Sequence, residues 1–218
     1  MPDKFSMRLG GLILAGGRSR RMGRPKESLP IAGTTMLDWQ CKTLLSCTEP
    51  VVTVGRDPSQ PLPKIPPEVD VTVDELPGEG PLAAIVTGLK HLRDHYGFGE
   101  RDAAMTVGCD QPFLTAATVR WLSERLGDAN VLMPQANEKL QPLTAIYRIA
   151  ALEPAIKLLE SGSRRPREIA LHTESRIVTE DELREFDPDL RFLRNLNSPS
   201  DYDAVRNELG RNRDERPN

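Results

Sequence analysis

Residues 14–26 read LAGGRSRRMGRPK, three glycines and five basic side chains within thirteen positions. Gly16, Gly17 and Gly23 remove side chains where backbone N–H groups could close around phosphate oxygens, and Arg18, Arg20, Arg21, Arg24 and Lys26 supply positive charge. The stretch suits a polyanion, but it is neither a P-loop, which needs G-x-x-x-x-G-K-[ST], nor the spaced G-x-G-x-x-G of dinucleotide sites. Taken alone it reads equally as a tight strand-to-helix turn with a solvated basic face. Two carboxylates follow other apolar runs: Asp74 in VTVDELPGEGPLAAI and Asp110 in MTVGCDQPFL. Taken alone, Asp110 is also a common turn residue before Gln-Pro. Carboxylates beside a triphosphate repel it unless a hard cation lies between, and Mg²⁺ bound by one or two carboxylates plus phosphate oxygens meets that need. The combination implies a nucleotide and Mg²⁺ together.

The elements that must position these groups alternate. Apolar runs at Arg8 to Ala15, Val51 to Val54, Val69 to Val73, Ala103 to Val107, Val131 to Met133 and Thr144 to Tyr147 predict strands. Apolar residues at three- and four-residue intervals predict helices over Thr35 to Leu45, Pro81 to Tyr96, Thr115 to Leu126, Ala150 to Glu160 and Ser200 to Leu209. Strand and helix in alternation predict an α/β fold, a three-layer Rossmann-like arrangement with helices on both faces of a mainly parallel sheet. Ligands then bind beyond the carboxyl ends of the strands, the end at which the glycine turn, Asp74 and Asp110 would all emerge if those strands are parallel. The Pro58 to Pro67 stretch, PSQPLPKIPP, reads as a surface connection inside the domain. One domain over residues 1–210 is expected, followed by a frayed polar tail over 211–218.

Composition narrows the function classes. The 218 residues carry 29 Lys+Arg against 32 Asp+Glu, a formal net charge of -3, which argues against a surface built for nucleic acid. Aromatic residues make up 5%, leaving few platforms for stacking on single strands. No apolar run approaches the roughly 20 residues that span a bilayer, and the first residues lack a signal-peptide core, so no membrane is expected. The three cysteines, Cys41, Cys47 and Cys109, have no CxxC spacing and read as reduced, cytoplasmic thiols. His91 and His95 are four apart on a predicted helix, a spacing that can chelate zinc, but they fall opposite the Leu82, Ile85, Val86 and Leu89 stripe and predict a solvated face.

LAGGRSRRMGRPK resembles the L-A-G-G-x-S-x-R-M-G-x-x-K signature of nucleotidyltransferases, and the chain from Leu12 to Asp201 resembles the molybdenum cofactor guanylyltransferases of that superfamily. The resemblance is carried by that signature, by Asp74 followed by Gly80-Pro81-Leu82, by CDQPFL with Asp110, by Gly162-Ser163-Arg164-Arg165, and by the segment from Phe192 to Asp201. It implies transfer of GMP from GTP to the terminal phosphate of molybdopterin, with release of pyrophosphate and formation of the guanine dinucleotide cofactor. It implies further that Leu14, Ala15, Gly16 and Gly17 hold the nucleotide, that Arg21 and Lys26 act on the phosphates, that Asp110 holds Mg²⁺, and that Asp74 contacts nucleotide or metal. Residues 8–115 would then bind nucleotide and 130–202 the acceptor, through Arg164, Arg165, Asn195 and Asn197. A molybdoenzyme chaperone or apo-enzyme would receive the product.

One position departs from the resemblance. Many members of that family have His-Pro where this chain has Gln141-Pro142-Leu143, and glutamine hydrogen-bonds without titrating near neutrality. Two alternatives stay open from the sequence. One is CTP or another small phosphate as substrate. The other is a non-catalytic nucleotide-binding accessory protein.

Overall fold

The computed structural model describes residues 7–17 and 24–214. The chain runs β1 (Leu9–Leu14), β2 (Pro30–Ile31), β3 (Thr34–Thr35), α1 (Met36–Leu45), β4 (Val51–Gly55), β5 (Val69–Val73) and α2 (Pro81–Tyr96). It continues through β6 (Ala103–Gly108), α3 (Ala116–Ser123), β7 (Val131–Ala136), β8 (Lys139–Leu140), β9 (Thr144–Arg148), α4 (Leu152–Glu160), β10 (Ser175–Val178), α5 (Glu180–Phe186) and α6 (Pro199–Asp214). The main sheet has the order β10-β7-β9-β6-β1-β4-β5, with β8 paired to β7. β1, β4, β5 and β6 are parallel, as the site requires, and β9 is antiparallel to both β6 and β7.

Side-chain alternation along the buried strands builds the three layers. In β1, Leu12 and Leu14 face a core filled by Leu82, Ile85 and Leu89 of α2 and Leu152, Ala155 and Leu158 of α4. Ile13 and Ala15 face the opposite core, with Leu37, Cys41 and Leu44 of α1, Val119 and Leu122 of α3 and Leu183 of α5. Both faces being covered explains why the strands read as continuous apolar runs.

Helix starts are set by local hydrogen bonds. Thr35 and Thr115 are N-caps rather than helical residues, their hydroxyls accepting from the Asp38 and Thr118 amides, so α1 and α3 begin one residue later than predicted. Several elements lie outside the expected set: the β2–β3 hairpin, β8, β10 and α5. The two-residue strands are too short to show a period. Helix α5 did carry a legible mark, the capping box of Thr179 and Glu182. Helix α6 continues to Asp214, beyond the expected Leu209 and into the predicted tail; residues 215–218 of that tail lie outside the described residues.

The solvated reading of the two histidines is corrected for His91. Its side chain is 13% exposed and its Nε2 sits 2.7 Å from Asp70 Oδ2, while His95 is exposed and stacks on it. The edge strand β5 lies under that flank of α2, a neighbour that a helical wheel does not show. The free cysteines behave as small hydrophobes: Cys41 and Cys109 are buried, and burial pushes the Cys41 thiol up to about 11 and the Cys109 thiol well above the ordinary thiol range.

Candidate active site

β1 delivers its carboxyl end into the turn at Ala15 to Gly17. The Ala15 amide donates to the Val54 carbonyl at 2.9 Å, its carbonyl accepts from Gln60 Nε2 at 2.7 Å, and the Leu14 carbonyl accepts from the Cys109 amide at 3.4 Å. Leu14 and Ala15 are therefore already committed to the protein. Among the described residues no hydrogen bond engages the Gly16 and Gly17 peptides. Neither glycine has a positive φ, and a Cβ built on Gly17 meets nothing within 4 Å among the described residues. Among the described residues neither backbone conformation nor packing demands glycine at these two positions. Arg18, Arg20, Arg21 and Gly23 lie outside the described residues.

Lys26 opens a short 3₁₀ turn, Lys26–Ser28, just after the arginine-rich loop. Its Nζ is 2.7 Å from Asp110 Oδ2 and 3.3 Å from Asn197 Oδ1, with both charged side chains mostly covered. Asp110 follows β6, and its carboxylate folds back over Gly108, where a Cβ would lie 2.7 Å from Asp110 Oδ1. Asn197 arrives from the segment before α6, whose neighbour Leu196 donates its amide to the Asp110 carbonyl at 2.9 Å. Three distant parts of the sequence thus converge on one cation, a lysine ammonium that donates to the oxygens of Asp110 and Asn197.

A second group flanks the glycine turn on its other side. Asp74, after β5, accepts from the Leu76 amide at 3.0 Å, and Thr87 of α2 supports it. Glu79, between Gly78 (φ 91) and Gly80 (φ 89), pairs with Arg164, and a Cβ on Gly80 would touch the Arg164 backbone. Arg165 is exposed and reaches only Glu168, and Asn195 is exposed. Asp74 and Asp110 do share one end of the sheet, as expected. The strand order puts three inter-strand spacings, about 14 Å, between the strands that carry them.

Burial pushes the Asp74 carboxyl above the ordinary aspartate range, with Glu75 and Glu79 acting in the same direction and the bonds from Leu76 and Thr87 against it. A raised folded-state value means that the ionised form costs stability, and the cost disappears as the pH falls below that value. Asp74→Asn is expected to raise the melting temperature at pH 7, with the gain shrinking as the pH approaches the ordinary value of 3.8. Thermal unfolding at both pH values tests this, and a lower melting temperature at pH 7 contradicts it.

Several supporting residues escaped the sequence reading. Gln60, inside the proline-rich connection, donates to the Ala15 carbonyl and to Glu27 Oε1, both at 2.7 Å, and its Oε1 accepts the Arg56 amide. Glu27 is 3% exposed, directly beside Lys26. Buried Gln111, next to Asp110, donates to Thr144 Oγ1. The antiparallel direction of β9 brings Gln141 to Thr144 to this end of the sheet, where the Leu143 carbonyl accepts from the Gly108 amide. The departing glutamine is therefore near Asp110, with its Nε2 on the Lys139 carbonyl at 3.2 Å. A polar amide among prolines was the one available signal for Gln60. A groove of about 960 Å³ lined by Arg8, Cys47, Glu49 and Phe98 lies at the opposite end of the strands, away from these groups.

Among the described residues no three His, Cys, Asp or Glu side chains are arranged to hold a metal. The carboxylate of Asp110 beside the amide oxygen of Asn197 fits an ion that takes its remaining ligands from phosphates and water.

Residues 11–176 match the family described as MobA-like NTP transferase domain. The chain is 35% identical over 200 residues to a probable molybdenum cofactor guanylyltransferase from Mycobacterium tuberculosis, covering 90% of this chain and 92% of the relative. It is 30% identical over 211 residues to a probable molybdenum cofactor guanylyltransferase from Chloroflexus aggregans, covering 94% and 96%. The crystal structure of molybdopterin-guanine dinucleotide biosynthesis protein A from Archaeoglobus fulgidus superposes with a TM-score of 0.74 at 23% identity, over 93% of this chain and 99% of that one, a likeness of fold.

Proposed function

This chain belongs to the family of MobA-like NTP transferase domains, and from that premise we propose that it is a guanylyltransferase moving GMP from GTP to the terminal phosphate of molybdopterin. Members of the family use a divalent metal, and Mg²⁺ is the ion proposed here. The observation that carries the reading is the Lys26–Asp110 pair, 2.7 Å apart and 84 residues apart in sequence, beside a glycine turn with open space above it.

A phosphate oxygen of the acceptor attacks the α-phosphorus in line, forming the new O–P bond as the bond to pyrophosphate breaks. Both reactants are anionic, so the chain contributes charge neutralisation and positioning more than proton transfer. Gly16 and Gly17 offer their peptide groups to the guanine base and ribose, and Leu14 and Ala15 line the contact. Lys26, with Arg21, neutralises the phosphates as charge develops on pyrophosphate. Asp110 holds the ion, which when bound screens the phosphates from that carboxylate and from each other. Asp74 contacts the nucleotide from the far side of the turn. Arg164, Arg165 and Asn195 serve the acceptor, with Asn197 close enough to Lys26 to register acceptor and nucleotide together. Residues 8–115 thus form the nucleotide half and 130–202 the acceptor half, and the product passes to a chaperone or apo-enzyme. No described helix is long and apolar enough to cross a membrane.

Isothermal titration with GTP, CTP and ATP, each with Mg²⁺, tests the base preference. GTP is expected to bind at least about tenfold more tightly than CTP or ATP, a difference of roughly one well-formed polar contact pair. Equal affinity would defeat the guanine assignment. No binding of any triphosphate would defeat the enzyme reading and leave a fold shared without its activity.

A further inference from the structure

The loop that carries Asp110 has three consecutive carbonyls, and each is taken by a donor from elsewhere in the chain. The Asp110 carbonyl accepts from the Leu196 amide at 2.9 Å, the Gln111 carbonyl from Gln40 Nε2, and the Pro112 carbonyl from Trp39 Nε1 at 3.1 Å. Two of the three donors are neighbours on α1. Loops usually leave such carbonyls to water, and here the donors hold the loop in one position.

Helix α1 also holds the other member of the ion pair. The amide of its first residue, Met36, donates to the Leu29 carbonyl at 2.9 Å, at the end of the turn that begins with Lys26. The helix is anchored by the Thr35 cap and by Leu37, Cys41 and Leu44 in the core. Lys26 and Asp110 are thus both referenced to one rigid element. Gln40 adds a second sign of purpose: it is 0% exposed, and its Oε1 has no hydrogen-bond partner. A buried amide with one end unsatisfied costs stability relative to an apolar residue of the same size, so its Nε2 donor is what the position retains it for.

We propose that Trp39 and Gln40 are positioning residues that set Asp110 against Lys26. They touch neither substrate nor ion and act through the backbone of the Asp110 loop. The kinetic part of this inference rests on the guanylyl-transfer reading above, and the structural part does not.

The test uses Trp39→Phe and Gln40→Met, which remove the donors while keeping an aromatic ring at one position and an unbranched side chain of similar length at the other. Amide hydrogen exchange at Leu196 reports the loop directly in the free protein and is expected to rise about fivefold or more in each variant. With GTP and Mn²⁺ as the probe ion, half-saturation by the metal is expected to rise by a similar factor. Turnover should fall about tenfold while KM for GTP stays within twofold. Thr48→Val serves as the control for general destabilisation: it removes a buried hydroxyl bonded to the Leu44 carbonyl at the far end of the sheet and should move neither Leu196 exchange nor the metal requirement. Wild-type Leu196 exchange in both variants overturns the proposal, as does a metal requirement that shifts equally in the Thr48 control. If the wild-type protein released no pyrophosphate while Leu196 exchange still responded, the guanylyl-transfer reading would fall and the loop-holding role would stand.

Discussion

Asp110→Asn is expected to lower turnover by about a hundredfold or more while the protein stays folded. Asparagine has the same shape, so it clears Gly108 as the carboxylate does, and its oxygen can still accept from Lys26. The loop keeps its backbone bonds from Leu196, Gln40 and Trp39, and Lys26 keeps Asn197. What is lost is one negative charge at the point where phosphate charge and ion must be balanced. Removing one preorganised electrostatic group from an active site typically costs about a hundredfold to a thousandfold in rate, or roughly 3–4 kcal/mol of transition-state stabilisation. Stability should change by about 1 kcal/mol or less, because the Lys26–Asp110 pair is partly solvated. Pyrophosphate release under saturating GTP measures the first quantity and thermal unfolding the second. Turnover near that of the wild type removes Asp110 from the mechanism.

Gly17→Val is expected to abolish measurable GTP binding, a loss of about fiftyfold or more, with no loss of stability beyond about 0.5 kcal/mol. A Cβ at Gly17 meets no atom of the described residues within 4 Å and Gly17 has no positive φ, so the described part of the free protein leaves room for the branch. The space it fills is the space proposed for the nucleotide, next to peptide groups that have no partner among the described residues. Calorimetric titration with GTP and a thermal melt of the same sample separate the two effects. Unchanged affinity would mean that the nucleotide does not approach Gly17; a large drop in melting temperature would mean that the glycine is needed by the fold.

Much of the fold was legible because buried parallel strands announce themselves. The runs at Val51 to Val54 and Ala103 to Val107 lie within β4 and β6, since a strand covered on both faces has little polar alternation to disguise it, whereas Val69 to Val73 matches the edge strand β5, whose alternating VDVTV leaves Val71 and Val73 exposed. The 3.6 period marked α2 to its exact ends, with Pro81 starting it and Gly97 in a left-handed conformation closing it. The short pairings β2–β3 and β8 were invisible, because two residues carry no period and are held by their partners. His91 was misread because amphipathic reasoning considers a helix alone, whereas the edge strand beside α2 supplies Asp70.

The residues of the site divide along the same line. From the sequence, the chemistry of anionic phosphates pointed to the glycine turn, Lys26, Asp74 and Asp110, and the resemblance pointed to Asn197; the structure brings Lys26, Asp110 and Asn197 together. Distance was decided only by the tertiary structure. Strand order puts three inter-strand spacings, about 14 Å, between the strands that carry Asp74 and Asp110. The same packing brings Asn197 to Lys26 and sets Gln40 and Trp39 behind the Asp110 loop. Those relations join residues that are 71 to 171 positions apart. No local pattern encodes such contacts, because they exist only after the sheet has fixed which strand ends are neighbours.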